Sequence, residues 1–226
     1  MKNYLPEGLK ANYDKYPVVQ VAGHQDECVC GWDNIVRVLK DSLPSGSVLV
    51  VECYQGVYED EVAEALEKYL GDADIYRTND LMKTEEELYA ILGEDITDDD
   101  IFGFITRHTM EVYFDGKKVQ AMKDAVSSTR NARTQVILGV GASYACPEHD
   151  LLVYLDMARW EIQQRFRKNM VPNVGFANKD SRAALKYKQG FFVDWRICDR
   201  WKKHIIRKVD WFVDTNTPCL LYTSPS

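Results

Sequence analysis

The chain has no apolar run approaching the roughly 20 residues that a membrane-spanning helix needs. Its N-terminus, MKNYLPEGLKANYDKYP, lacks the apolar centre of a secretory signal. Basic charge is also short, with 28 Lys and Arg against 35 Asp and Glu, a net charge of −7. That balance argues against a general nucleic-acid or membrane surface, so neither is expected as a partner and the cytoplasm is the expected location. Six cysteines scattered through 226 residues do not make a disulfide framework. Cys53, Cys146 and Cys198 lie in or beside apolar runs, where a thiol behaves as a small hydrophobe. The one cluster of metal-ligand types, His24 with Cys28 and Cys30, has no second pair to complete a zinc site, so no metal is expected there. No Ser–His–Asp or Cys–His set can be nominated from spacing, and no catalytic residue is assigned.

What is present is an alternation of apolar strands and amphipathic helices. Residues 1–30 read as an irregular arm broken by Pro6, Gly8, Pro17 and Gly23. Trp32, Ile35, Val36 and Leu39 then recur at helical spacing. VLVVECY is apolar on both faces, as a central strand of a covered parallel sheet must be. A helix over 59–70 stops at Gly71. ADIYRT (73–78) reads as a strand, and TEEELYAIL as a helix with Thr84 and Glu87 in capping-box positions. A short strand near 101–105 and a polar helix or loop near 119–131 follow. TQVILGVGASYAC, LLVYLDM with its following helix, a helical 190–206 and a last strand over 209–216 complete the pattern. The expectation is one α/β domain over 31–218, a mainly parallel sheet flanked by helices. The last eight residues, CLLYTSPS, do not continue the pattern, and 219–226 are expected to be a non-native tail.

The stretch VLVVECYQGVYEDEV (48–62) is the strand–loop–helix position at which nucleotide-binding α/β proteins cradle phosphate. A working loop of that kind needs several glycines, a Lys for the β- and γ-phosphates, and a Ser/Thr hydroxyl for magnesium. Here there is one glycine and neither side chain, while Glu52, Glu59, Asp60 and Glu61 gather around the turn. The acids also suit the first turn of a helix, where they complement its dipole.

If a ligand binds, the candidate residues converge on the carboxyl ends of the strands. They are Tyr54, Gln55 and Gly56 in the opening loop, Arg107 and His108 after the expected strand near 101–105, and Gly141 and Ser143 after VILG. Backbone N–H groups near Gly56 and Gly141 would meet an anionic small molecule, with Arg107 supplying charge. Arg159 and Arg165 at the start of the helix after LLVYLD are placed either as a closing phosphate clamp or as part of a solvated helix face. Asp194 and Arg196, among Phe191, Phe192, Trp195 and Trp201, are expected to be a partly buried structural ion pair first and a site second.

VLVVECYQGVYEDEV, VILGVGASYA, LLVYLDMARWEIQQRFR, KYKQGFFVDWRICDRWKK and VDWFVDTN resemble the N-terminal region of certain bacterial class I mannose-6-phosphate isomerase-type proteins. That region is itself similar to uridine-kinase-like P-loop domains that have lost the P-loop. The resemblance spans most of residues 13–216. It implies a P-loop-kinase-like fold without a functional P-loop, and a parent that interconverts mannose 6-phosphate and fructose 6-phosphate. In such parents zinc and the isomerase chemistry belong to a following cupin domain, so the implied partner is this chain's own C-terminal cupin domain, and no cofactor is implied within 1–226. The implied function is a non-catalytic accessory or regulatory domain that binds an anionic sugar or nucleotide or only packs on the cupin. The alternative is a stand-alone nucleoside or sugar kinase-like phosphotransferase with an unorthodox phosphate loop.

Overall fold

The computed structural model describes residues 23, 28–130, 132–216 and 222–225. Most of the arm expected over 1–30, including His24 of the cluster with Cys28 and Cys30, lies outside the described residues. The run Val48–Cys53 forms β2, and all six of its residues are buried, as its two-sided apolarity requires. Beside it run β4 (Thr134–Gly139) and β5 (Leu151–Asp156), each parallel to β2. Outside these lie β3 (Ala73–Arg77), parallel to β4, and β6 (Trp211–Asp214), parallel to β5. Two short strands extend the β6 edge. β7 (Tyr222–Pro225) pairs antiparallel with β6, and β1 (Val29–Cys30) pairs antiparallel with β7. The sheet order is therefore β1-β7-β6-β5-β2-β4-β3. Residues 29–30 and 222–225, expected as parts of an irregular arm and a patternless tail, are thus strands of the sheet.

Numbered by chain order, the five parallel strands run 2-3-1-4-5, with the first strand in the centre. The chain fills one side of β2 before crossing to the other, and that reversal opens a crevice at the carboxyl ends beside β2. Helices cover both faces. The amphipathic α1 (Trp32–Ser42) buries Ile35, Val36 and Leu39, and α2 (Glu59–Leu70), which packs against it, buries Val62, Ala63, Ala65 and Leu66. α3 (Glu85–Ile96) begins with the reciprocal cap read from Thr84 and Glu87. α4 (Gly116–Thr129) is capped by Asp115, whose carboxylate accepts the N–H groups of Lys117 and Lys118. The short α5 (Ala142–Ala145), α6 (Arg159–Arg167), α7 (Ala183–Gln189) and α8 (Trp195–Ile205) complete the layers. A π-helical turn, Gly190–Asp194, joins α7 to α8 and seats Trp195 in the core.

Two expectations are corrected. Residues 101–105 are not a strand, because their backbone bonds elsewhere. The Phe104 N–H donates to the Asp95 carbonyl at 2.7 Å and the Thr106 N–H to the Phe192 carbonyl at 3.0 Å. Asp194 and Arg196 are not an ion pair. Asp194 is fully buried and accepts the Tyr113 hydroxyl (2.8 Å) and Asn173 Nδ2 (2.7 Å), while Arg196 donates to the Phe191 carbonyl and stacks on the Phe191 ring.

Candidate functional site

The crevice forms where two strand-end segments and the loop after α6 approach one another. The loop 54–58 leaves β2 and enters α2, Arg77 to Asp80 follow β3, and residues 170–174 follow α6. Together they enclose a cavity of about 670 Å³. Its wall carries Glu59, Asp60, Glu61 and Asp80 against one cation, Arg77, and that cation is paired with Asp60. An anion entering here would meet net negative charge at short range.

The loop itself is tied down by its neighbours. Gly56 has φ 94°, and an added Cβ would lie 2.9 Å from Ile162 Cγ1, so glycine is required for close approach to α6. The Gly56 carbonyl accepts a hydrogen bond from Arg165 Nη1 at 2.7 Å. Arg165 is buried. Its Nη2 donates to the Thr215 carbonyl, its Nε to Glu161, and its guanidinium lies 3.7 Å above the Tyr58 ring. Gln55 is buried as well, accepting Trp195 Nε1 at 2.6 Å and donating to the Pro172 carbonyl at 3.2 Å. A phosphate loop presents donors to its ligand. This loop spends its side chains on the protein.

The turn after β4, Gly139 to Ser143, supplies the N–H groups that would suit an oxyanion, and the protein's own carboxylate fills them. Glu52 is 1% exposed. One of its oxygens accepts the Gly141 N–H at 2.7 Å, the other the Ser143 N–H at 2.7 Å and the Ser143 hydroxyl at 2.6 Å. Trp201 Nε1 donates in turn to the Ser143 oxygen at 3.0 Å. Burial pushes the Glu52 carboxyl up from 4.5 to about 7 against the pull of these donors. Glu59 reaches the same turn, and burial raises it to about 7 while Arg77 and the Val140 N–H oppose the rise. Gly139, at φ 132°, lies so close to β3's exit that a Cβ there would overlap Thr78 Oγ1.

Of the residues nominated from sequence, Gln55 and Gly56 line the crevice. Tyr54 and Arg159 instead meet at Asp199 on α8. The Tyr54 hydroxyl donates to Asp199 Oδ1 at 2.7 Å, and Arg159 pairs with Oδ2. Gly141 and Ser143 are occupied by Glu52. Arg107 is exposed, and neither it nor His108 lines the crevice; the His108 carbonyl accepts Arg200. Arg165 belongs neither to a solvated face nor to a clamp, because burial commits it to loop carbonyls. Arg77 is not among the residues nominated from sequence, and Glu52 is read there only as charge around the opening turn. Arg77 ends a strand by the same rule that nominated Arg107, and a lone acid in an all-apolar strand signals a buried carboxylate in need of donors.

Among the described residues no group of three or more His, Cys, Asp or Glu is arranged to hold a metal ion, and no helix is long and apolar enough to cross a membrane. No curated protein is similar enough to the chain to count as a relative. The match to a known family covers the five parallel strands and every described helix. The chain belongs to the family described as Domain of unknown function (DUF8485), which it matches over residues 31–221.

Proposed function

We propose that this is a non-catalytic accessory or regulatory domain built on the strand order of phosphotransferases, its phosphate position rebuilt as a self-contained structural joint. The observation that carries this is the Glu52 carboxylate seated on the Gly141 and Ser143 N–H groups. Support also comes from the carbonyl of Gly56, drawn toward Arg165, and from the acidic wall of the crevice. The resemblance to isomerase-type proteins points to a parent acting on mannose 6-phosphate. In that parent a following cupin domain would hold zinc and carry the chemistry, and this domain would pack on it or modulate it. Charge in the crevice favours a neutral or cationic hydroxyl-bearing ligand over a phosphate or other anion.

The competing proposal, a phosphotransferase with an unorthodox loop, draws on the 2-3-1-4-5 strand order and on a cavity beside the first strand. One experiment separates the two. The chain is incubated with magnesium and ATP over a panel of sugars and nucleosides, and separately with zinc and mannose 6-phosphate. Neither phosphoryl transfer nor isomerisation above background is expected. Transfer abolished by Tyr58→Ala would establish the kinase-like alternative, and zinc-dependent turnover would overturn the accessory role.

A further inference from the structure

The 97–106 loop presents its apolar side chains to solvent. Ile101, Phe102, Phe104 and Ile105 are 59–69% exposed, and Tyr89 on α3 is 57% exposed beside them. Four large hydrophobics within five residues of one loop exceed the scattered exposure that any surface shows. Their backbone is held from several sides. Thr97, a β-branched residue, adopts φ 61°, and its hydroxyl donates to the Phe102 carbonyl at 2.6 Å. Asp99 Oδ1 accepts the Ile101 and Phe102 N–H groups, each at 2.7 Å. The buried Lys188 reaches up from α7 to the Thr97 and Asp99 carbonyls. With Phe104 bonded to Asp95 and Thr106 to Phe192, the loop is fixed at both ends while its hydrophobic side chains face outward. Backbone strain held by its surroundings together with ordered apolar anchors is the arrangement of a preorganised recognition surface.

The α3 side of this surface is acidic, whereas toward α7 Arg182 pairs with Asp100 and Lys188 holds the loop carbonyls. From Glu85 to Thr106 there are eight acids, Glu85 to Glu87, Glu94, Asp95 and Asp98 to Asp100, and no Lys or Arg. An open groove of about 650 Å³ runs between Tyr89 and Phe104, with Glu94, Asp95 and Asp98 along it. The stem of a lysine or arginine fits along such aromatics with its head at the carboxylates. A second copy docked by two-fold symmetry would bring this acidic rim against itself, and an anionic bilayer would be repelled.

We propose that the 97–106 loop and the adjoining face of α3 form a docking site for a protein segment that carries apolar side chains among lysines and arginines. The test is an amide NMR titration of the full chain with three peptides of equal length. One is an amphipathic Leu/Lys helix, one its Leu/Glu counterpart, and one Ser/Lys. The Leu/Lys peptide should shift resonances clustered at 89–106 and weaken with added salt. The double variant Phe102→Ser/Phe104→Ser should cut its affinity by about tenfold or more, with the circular dichroism spectrum unchanged. Charge reversal at Glu94 and Asp98 should act in the same direction. Equal binding of Ser/Lys, shifts elsewhere, or indifference to these variants would overturn the proposal. So would self-association through the same resonances, or contacts to this loop from residues 1–27 of the chain itself.

Discussion

Ser143 gives both its backbone N–H and its hydroxyl to one oxygen of Glu52, at 2.7 and 2.6 Å, across the carboxyl ends of two adjacent parallel strands. The second oxygen holds Gly141. A turn of successive N–H groups after a strand is an anion cradle in physical terms. Here the anion is covalently part of the protein, supplied by the neighbouring strand, and the cradle serves to lock β2 to the turn after β4.

Replacing Glu52 by Gln places an NH₂ where an acceptor is required, so at least one of the three donors loses its partner. The expected loss of stability is about 2–4 kcal/mol by urea denaturation. A midpoint equal to that of the native chain would show that the carboxylate does not organise the turn.

Arg165→Ala should cost a similar amount, about 2–4 kcal/mol, because the Gly56 and Thr215 carbonyls are bonded through one guanidinium. Arg165→Lys should recover little, since a single ammonium does not reproduce the planar fork that reaches both. Full rescue by lysine would reduce the role of Arg165 to charge alone.

Gly141→Ala meets two obstacles, a φ of 76° and a Cβ only 2.6 Å from the Phe114 ring. We expect a loss of about 2 kcal/mol or more, read from the unfolding midpoint, together with chemical-shift changes at Glu52. A neutral substitution would mean that the turn rearranges without cost.

Asp194 gives the pH dependence. Burial pushes its carboxyl from 3.8 to about 7, against the donors Asn173, Tyr113 and Val174. For an acid raised in the folded state, the stabilising contribution of the proton is complete below pH 3.8. It is lost as pH rises through 7. Asp194→Asn cannot ionise, so the stability of the native chain relative to this variant should fall by a few kcal/mol between about pH 4 and 7. A difference constant with pH would contradict it.

Much of the fold was legible because its signals are local and redundant. Five of the six buried residues of β2 are apolar, and α3 announces its start through Thr84 and Glu87. The segment 101–105 misled because IFGFI has strand composition, whereas its exposure is decided by Lys188, Asp95 and Phe192, residues remote or hydrogen-bonded in ways no pattern encodes. The site was legible in position and not in detail. Strand-end logic located the 54–58 and 141–143 turns. What their polar groups meet depends on Glu52, which takes the 141–143 donors, and on Arg165, which holds the Gly56 carbonyl, and their partners lie 89–91 and 50–109 residues away.

The most direct test of a phosphate position closed by its own carboxylate is calorimetric titration of the full chain with ATP and magnesium. No saturable heat is expected up to millimolar nucleotide, because the 54–58 loop lacks the lysine, the Ser/Thr hydroxyl and the repeated glycines of a phosphate loop, and Glu52 occupies the N–H groups of the turn after β4. Magnesium-dependent binding in the micromolar range, lost on Tyr58→Ala, would contradict it.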